Sequence, residues 1–371
     1  MLSPSRRRVL SGDPYCSSGK LYGAGICCSE ACAACGTQND GCASDAAGEG
    51  SCCADVITAS ELSCNQYGPP CIIDEERFAE PSTPADPWSI HRNSVVGVLT
   101  GPDKTVAERE AQYGMTFDAE LIYQNVLYLN FTYLQDVMES GKKVQLVIEI
   151  NDNLANIASG TYDTQLYNFG LEAAAYGRKI STRILHEING DWYPWCAFAP
   201  GNSIDQFYEA FVRVVNALRG SGADLKIQLA YAAQNAAGYD NPFIDFFEPI
   251  KDYVDEVCVS AYNLCGDKYS ENKPLRDIMG EWYKQVTWFT DLPICIAEMS
   301  STGHCEGKPA WIADAWDTIT NEFTQVRTIN WFFENKIDLL NRDYDLNTSS
   351  DVQQFVDGFN NFKYATSRVR Q

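Results

Sequence analysis

Eight short β-branched or apolar runs, each followed by a longer segment of helical period, predict an α/β fold of the (β/α)8 TIM barrel kind. A crowd of cysteines near the N-terminus predicts a small disulfide-rich module ahead of it. The runs are Val95–Leu99, Glu120–Val126, Val144–Ile150, Ser181–His186, Lys226–Tyr231, Glu256–Tyr262, Ile294–Glu298 and Thr328–Phe332. Eight parallel strands close a barrel, whereas a doubly wound open sheet would advertise a Gly-rich phosphate turn after an early strand, and the sequence has none.

The N-terminal element comes first. Ten of the 15 cysteines fall between Cys16 and Cys71, and only Cys196, Cys258, Cys265, Cys295 and Cys305 lie beyond. An even set in a Gly/Ala/Ser-rich stretch reads as five disulfides stapling a piece too small for its own apolar core. Zinc through Cys27-Cys28, Cys32-x-x-Cys35 and Cys52-Cys53 is the competing reading, but the stretch has no His and the adjacent pairs do not give ordinary zinc spacing. Of the five remaining cysteines at least one must stay unpaired within the barrel or bond elsewhere. The module and its linker are assigned to 1–80. The Pro-rich stretch Pro81–Pro87 cannot propagate a helix or central strand, and the barrel is assigned to 88–365.

Two helices can be placed within the barrel. After the fourth run, Asp205 stands near a helix start and Phe207, Phe211, Val215 and Leu218 follow at helical spacing before Gly220. The segment Ala173–Gly177 closes the helix after the third run.

Composition narrows the function. A formal charge of −22 repels nucleic acid and anionic membrane surfaces, and the one basic run, Arg6-Arg7-Arg8, reads as a processing or translocation remnant. No stretch approaches transmembrane length. Disulfides and the sequons at Asn130 and Asn347 suit a secreted protein; the first fifteen residues hold no apolar h-region, so a leader is expected to have been removed. The 12% aromatic share hints at sugar stacking.

In such a barrel, chemistry gathers at the C-terminal ends of the strands. The fourth run ends in His186-Glu187 and the seventh in Glu298, 111 residues apart and separated by three β-α units, which places the two carboxyls across the barrel mouth. Glycoside cleavage needs one carboxyl to protonate the leaving oxygen and another to attack or to activate water. Either Glu alone would read as a salt-bridged strand end.

The string Arg183, His186-Glu187, Asn189-Gly190, Trp192-Tyr193-Pro194-Trp195 resembles glycoside hydrolase family 26, the clan A family of endo-β-mannanases and related glycanases. The likeness runs from Trp88 to Phe362 and includes Ala158–Asp163 and Trp331–Lys336. It implies a secreted, retaining endo-β-glycanase acting on β-1,4-mannan, with Glu187 as acid/base and Glu298 as nucleophile. By the same resemblance Tyr262 hydrogen-bonds the nucleophile and Trp331 floors the sugar site, although a Trp at a strand end is otherwise usually core packing. Arg183 and His186 orient the carboxylates or contact sugar, and Trp192 is taken as a further substrate contact.

The resemblance implies no cofactor, and three histidines without an acidic partner motif argue against a metal. Burial beside Glu298 is expected to keep Glu187 protonated while Arg183 and Tyr262 hold Glu298 anionic. Ile188 where Met is common, Met299-Ser300-Ser301 after the nucleophile and Tyr344 for an expected Trp depart from the family pattern. They leave β-1,3-xylanase and mixed-linkage glucanase as alternatives, beside a non-catalytic glycan-binding or structural protein. The Cys-rich module is read as an extracellular appendage for cell-wall or matrix glycan contact.

Overall fold

A computed structural model describes His91 and residues 93–364 of the chain, with the backbone of two short N-terminal strands. The chain divides into two units, Met1–Pro87 and Trp88–Gln371. In the first, β1 (Gly19–Tyr22) pairs antiparallel with β2 (Ile26–Ser29). The five expected disulfides and the role assigned to the Cys-rich module otherwise lie outside the described residues.

The second unit is a closed eight-stranded parallel barrel of β3 (Val95–Thr100), β4 (Ala119–Asn125), β5 (Lys143–Glu149), β6 (Ile180–Ile184), β7 (Leu225–Ala232), β8 (Glu256–Asn263), β9 (Ile294–Ser301) and β10 (Val326–Phe333). Closure comes from β10 pairing with β3, Thr328 opposite Val95 through Phe333 opposite Thr100. Each strand lies close to its expected run. Two depart from it: the fourth stops two residues short of His186 because the backbone turns at Leu185, and the seventh continues three residues past Glu298 to Ser301.

Helices α1 (Val106–Tyr113), α2 (Phe131–Glu139), α3 (Leu154–Ala158), α4 (Asp163–Tyr176), α5 (Ile204–Arg219), α6 (Phe243–Phe247), α7 (Leu275–Phe289), α8 (Lys308–Asn321), α9 (Ile337–Leu340) and α10 (Ser349–Tyr364) follow the strands. Local chemistry sets their ends. Thr105 and Glu108 form a reciprocal capping box at α1, satisfying two backbone N–H groups that the first turn leaves orphaned. Gly177 closes α4 in the left-handed region at φ 72°, as its position predicts. Gly220 does not do this for α5: its φ is −59°, and the left-handed residue is Gly222.

The main core lies between strands and helices. Phe207, Phe211, Val214, Val215 and Leu218 of α5 are all buried there, and emptying one of the Phe sites to Ala would cost about 3–5 kcal/mol. A different chemistry fills the barrel interior, where Gln145, Gln228, Glu256 and Thr328 from four strands hydrogen-bond to one another. The disulfide Cys258–Cys295 joins the adjacent strands β8 and β9, and Cys265–Cys305 ties the loops that follow them. Cys196 is the free cysteine among the described residues.

Candidate active site

The turn after β6 carries the first carboxyl. Leu185 and Glu187 both hold positive φ, 46° and 54°. Side chains bearing a Cβ enter that region at about 1–3 kcal/mol each, so the surrounding structure must enforce it. It does so from β7: Asn189 donates from Nδ2 to the Ala232 carbonyl (3.1 Å) and accepts the Ala232 N–H on Oδ1 (2.8 Å). The Trp195 indole donates to the His186 carbonyl at 2.9 Å. Trp195 is core, with Tyr193 stacked on it at 4.5 Å.

Trp192 is different, half exposed and donating from its indole to Oε2 of Glu187 at 2.7 Å. Gly190 makes room for that ring, since a Cβ there would stand 2.7 Å from its atoms. Burial, and then the charge of Glu298, push the Glu187 carboxyl up to about 7, with the Ser260 hydroxyl and then the Trp192 N–H pulling the other way.

Glu298, within β9, is 6% exposed. Burial would raise its carboxyl, but the Arg183 guanidinium and tyrosine hydroxyls outweigh that and hold it below the ordinary range. Arg183 Nη1 donates to Oε1 at 3.0 Å, and the Tyr262 hydroxyl donates to Oε2 at 2.7 Å. Burial and the Glu298 charge keep the Tyr262 and Tyr123 hydroxyls protonated, as donors. His186, edge-on to Tyr193 (4.9 Å) and Tyr123 (6.0 Å), is pushed by burial down to about 4, so it is a neutral imidazole near pH 7.

Six of the seven sequence-predicted site residues therefore meet at the mouth: Glu187, Glu298, Arg183, His186, Trp192 and Tyr262. Trp331 does not. It is 0% exposed and packs outward against Trp311 and Trp316 of α8 and Phe355 of α10, so it cannot floor a sugar site. The neighbouring residue Phe332 takes the inward position, edge-on to Tyr262 at 5.7 Å and to Tyr344 at 5.6 Å, with the Lys336 ammonium 4.7 Å above its ring. Sequence reasoning also missed Tyr123, Tyr193 and Glu149. Glu149 ends β5, its carboxyl raised by burial and by the Glu298 charge. Its place at a strand end was the available signal.

No family model matches the chain. Endoglucanase H of Acetivibrio thermocellus is 28% identical over 188 residues, 50% of this chain and 21% of that protein. The chain thus spans about a fifth of that relative's length. Among solved structures, the catalytic domain of a family 26 endo-β-1,4-mannanase from Bacillus sp. JAMB-750 superposes with a TM-score of 0.56 at 13% identity, covering 74% of this chain and 90% of that one. The Bacillus subtilis mannanase BCman gives 0.52 at 16% identity, covering 72% and 88%. The family 26 domain of a Prevotella bryantii endo-β-mannanase/endo-β-glucanase gives 0.51 at 13%, covering 73% and 90%. The barrel shares the fold of these family 26 structures.

In this barrel the two mouth carboxyls have opposite surroundings, one able to donate a proton near pH 7 and the other held as an anion. Such a pair can protonate one atom while attacking a second. As for metals, Glu256, Cys258 and Cys295 converge, but both sulfurs are joined as a disulfide and Glu256 is already engaged by Gln228, Thr328 and Lys226. No helix among the described residues is long and apolar enough to cross a membrane.

Proposed function

We propose that the barrel is a retaining endo-β-glycanase that hydrolyses β-1,4-mannan outside the cell. The observation that carries the reading is the contrast between the two glutamates: Arg183 and Tyr262 grip Glu298 and hold it as an anion, whereas burial beside that charge raises Glu187 despite the Trp192 N–H. Glu298 attacks the anomeric carbon as Glu187 protonates the departing glycosidic oxygen. Esterification removes the Glu298 charge and the Glu187 carboxyl becomes more acidic; it then takes a proton from the incoming water as the water oxygen bonds the anomeric carbon and the bond to Glu298 breaks, restoring its carboxylate. Trp192, half exposed beside Glu187, offers an aromatic surface for a sugar ring. The two barrel disulfides suit an oxidising compartment.

Reducing-end release from β-mannan, β-1,3-xylan and mixed-linkage β-glucan tests the reading. The 28% identical relative is named an endoglucanase, which favours glucan as the second reading. Proton NMR of the first product anomer decides the stereochemistry, and an initial α-anomer would refute retention. Glu298→Ala is expected to abolish turnover. Glu187→Ala should lose polysaccharide hydrolysis but keep activity on an aryl glycoside with a good leaving group, rescued by azide. No hydrolysis of any of the three polymers, with the chain folded, would overturn this reading.

A further inference from the structure

The grip on Glu298 continues downward through the barrel. Fully buried Arg183 donates from Nη1 to Glu298, from Nη2 to the Ala297 carbonyl (3.0 Å) and from Nε to Oε1 of Gln228 (3.3 Å). Gln228 in turn donates from Nε2 to Oε1 of Gln145 (2.9 Å) and to Oε2 of Glu256 (2.8 Å). The other oxygen of Glu256 accepts from Thr328 (2.9 Å) and from the ammonium of Lys226 (2.7 Å), whose side chain is partly exposed.

Orientation is the point. A carboxylate only accepts hydrogen bonds, so the side of Gln228 that faces Glu256 has to be its NH2. That leaves the amide oxygen facing Arg183; turned over, the amide would oppose N–H to N–H. Guanidinium is a rigid fork, so fixing Nε fixes where Nη1 points.

We propose that Gln228 and Glu256 are positioning residues for Glu298, Glu256 setting the amide of Gln228 and Gln228 setting the guanidinium of Arg183; their effect on turnover rests on the glycosidase reading above. Glu298 is faced by Arg183 and His186 from β6 and its turn, Tyr123 from β4, Tyr262 from β8, Glu187 across the mouth and Glu149 from β5. Among these, Arg183 is the group that Gln228 touches.

The test is a carbon-13 NMR titration of the glutamate carboxyls in the full chain, with the Glu298 signal assigned by its loss in Glu298→Gln. Gln228→Leu and Glu256→Gln should each move the Glu298 midpoint upward, by about one pH unit for the former. The acid limb of kcat/KM should move with it, and kcat should fall about tenfold or more with little change in KM. A purely structural role would lower the melting temperature and leave the Glu298 midpoint in place, and that result in a folded variant overturns the proposal. Should Gln228→Leu not fold, Glu256→Gln, which conserves size, carries the test. A midpoint that moves in a chain with no glycanase activity would sink the proposed function and leave the positioning intact.

Discussion

Replacing Glu187 with Gln should stabilise the protein at alkaline pH, an effect that requires no knowledge of the substrate. In the fold its carboxyl is raised from 4.5 to about 7, first by burial and then by the Glu298 charge. A raised carboxyl contributes stability that is fully present below its unfolded value and is lost as pH rises through the folded value. Each pH unit in that window costs about 1.4 kcal/mol, so ionising Glu187 inside the fold costs about 3 kcal/mol by pH 8. Partial exposure of the side chain makes this an upper figure. Gln keeps the shape and an acceptor for the Trp192 N–H, and it cannot ionise. At about 2–4 °C per kcal/mol for a domain of this size, Glu187→Gln should melt above the native protein at pH 8, by up to about 6–12 °C. The gap should close below about pH 4, where both side chains are neutral. Calorimetry from pH 4 to 8 measures it, and a difference that does not depend on pH, or a lower melting point for the variant at pH 8, would refute the reasoning.

Tyr262→Phe removes the 2.7 Å bond to Oε2 of Glu298. With one donor to the anion gone, the Glu298 carboxyl should titrate higher, the acid limb of the pH–rate profile should move up, and kcat should fall about 10-fold to 100-fold. Gly190→Ala drives a methyl group into the Trp192 ring, only 2.7 Å from where the new Cβ would stand. The indole should leave Glu187, seen as a changed near-UV dichroism and a loss of kcat/KM, and an unchanged spectrum would count against the packing described. Cys196 is buried with its thiol pushed up to about 12 by that burial, so it should resist a thiol reagent in the native protein and react once in denaturant.

The repeated alternation of apolar run and helical segment made the barrel legible in the sequence, because each strand and helix carries its own period. The motif around Glu187 and the position of Glu298 at the end of a run made the two carboxyls legible, because barrel mouths collect the residues that end strands. What lay beyond the sequence was anything that depends on which way a doubly buried strand faces. In Asn330-Trp331-Phe332-Phe333 three consecutive side chains are large and apolar, so no alternation shows which faces inward. Register and helix packing turned Trp331 out against α8 and α10 and brought Phe332 to the mouth. The same holds for Arg183, Gln228 and Glu256, far apart along the chain, and for the pairing of Cys258 with Cys295 and Cys265 with Cys305. A chain's period fixes what each segment becomes, but only closing the barrel brings side chains from non-neighbouring strands within hydrogen-bond reach.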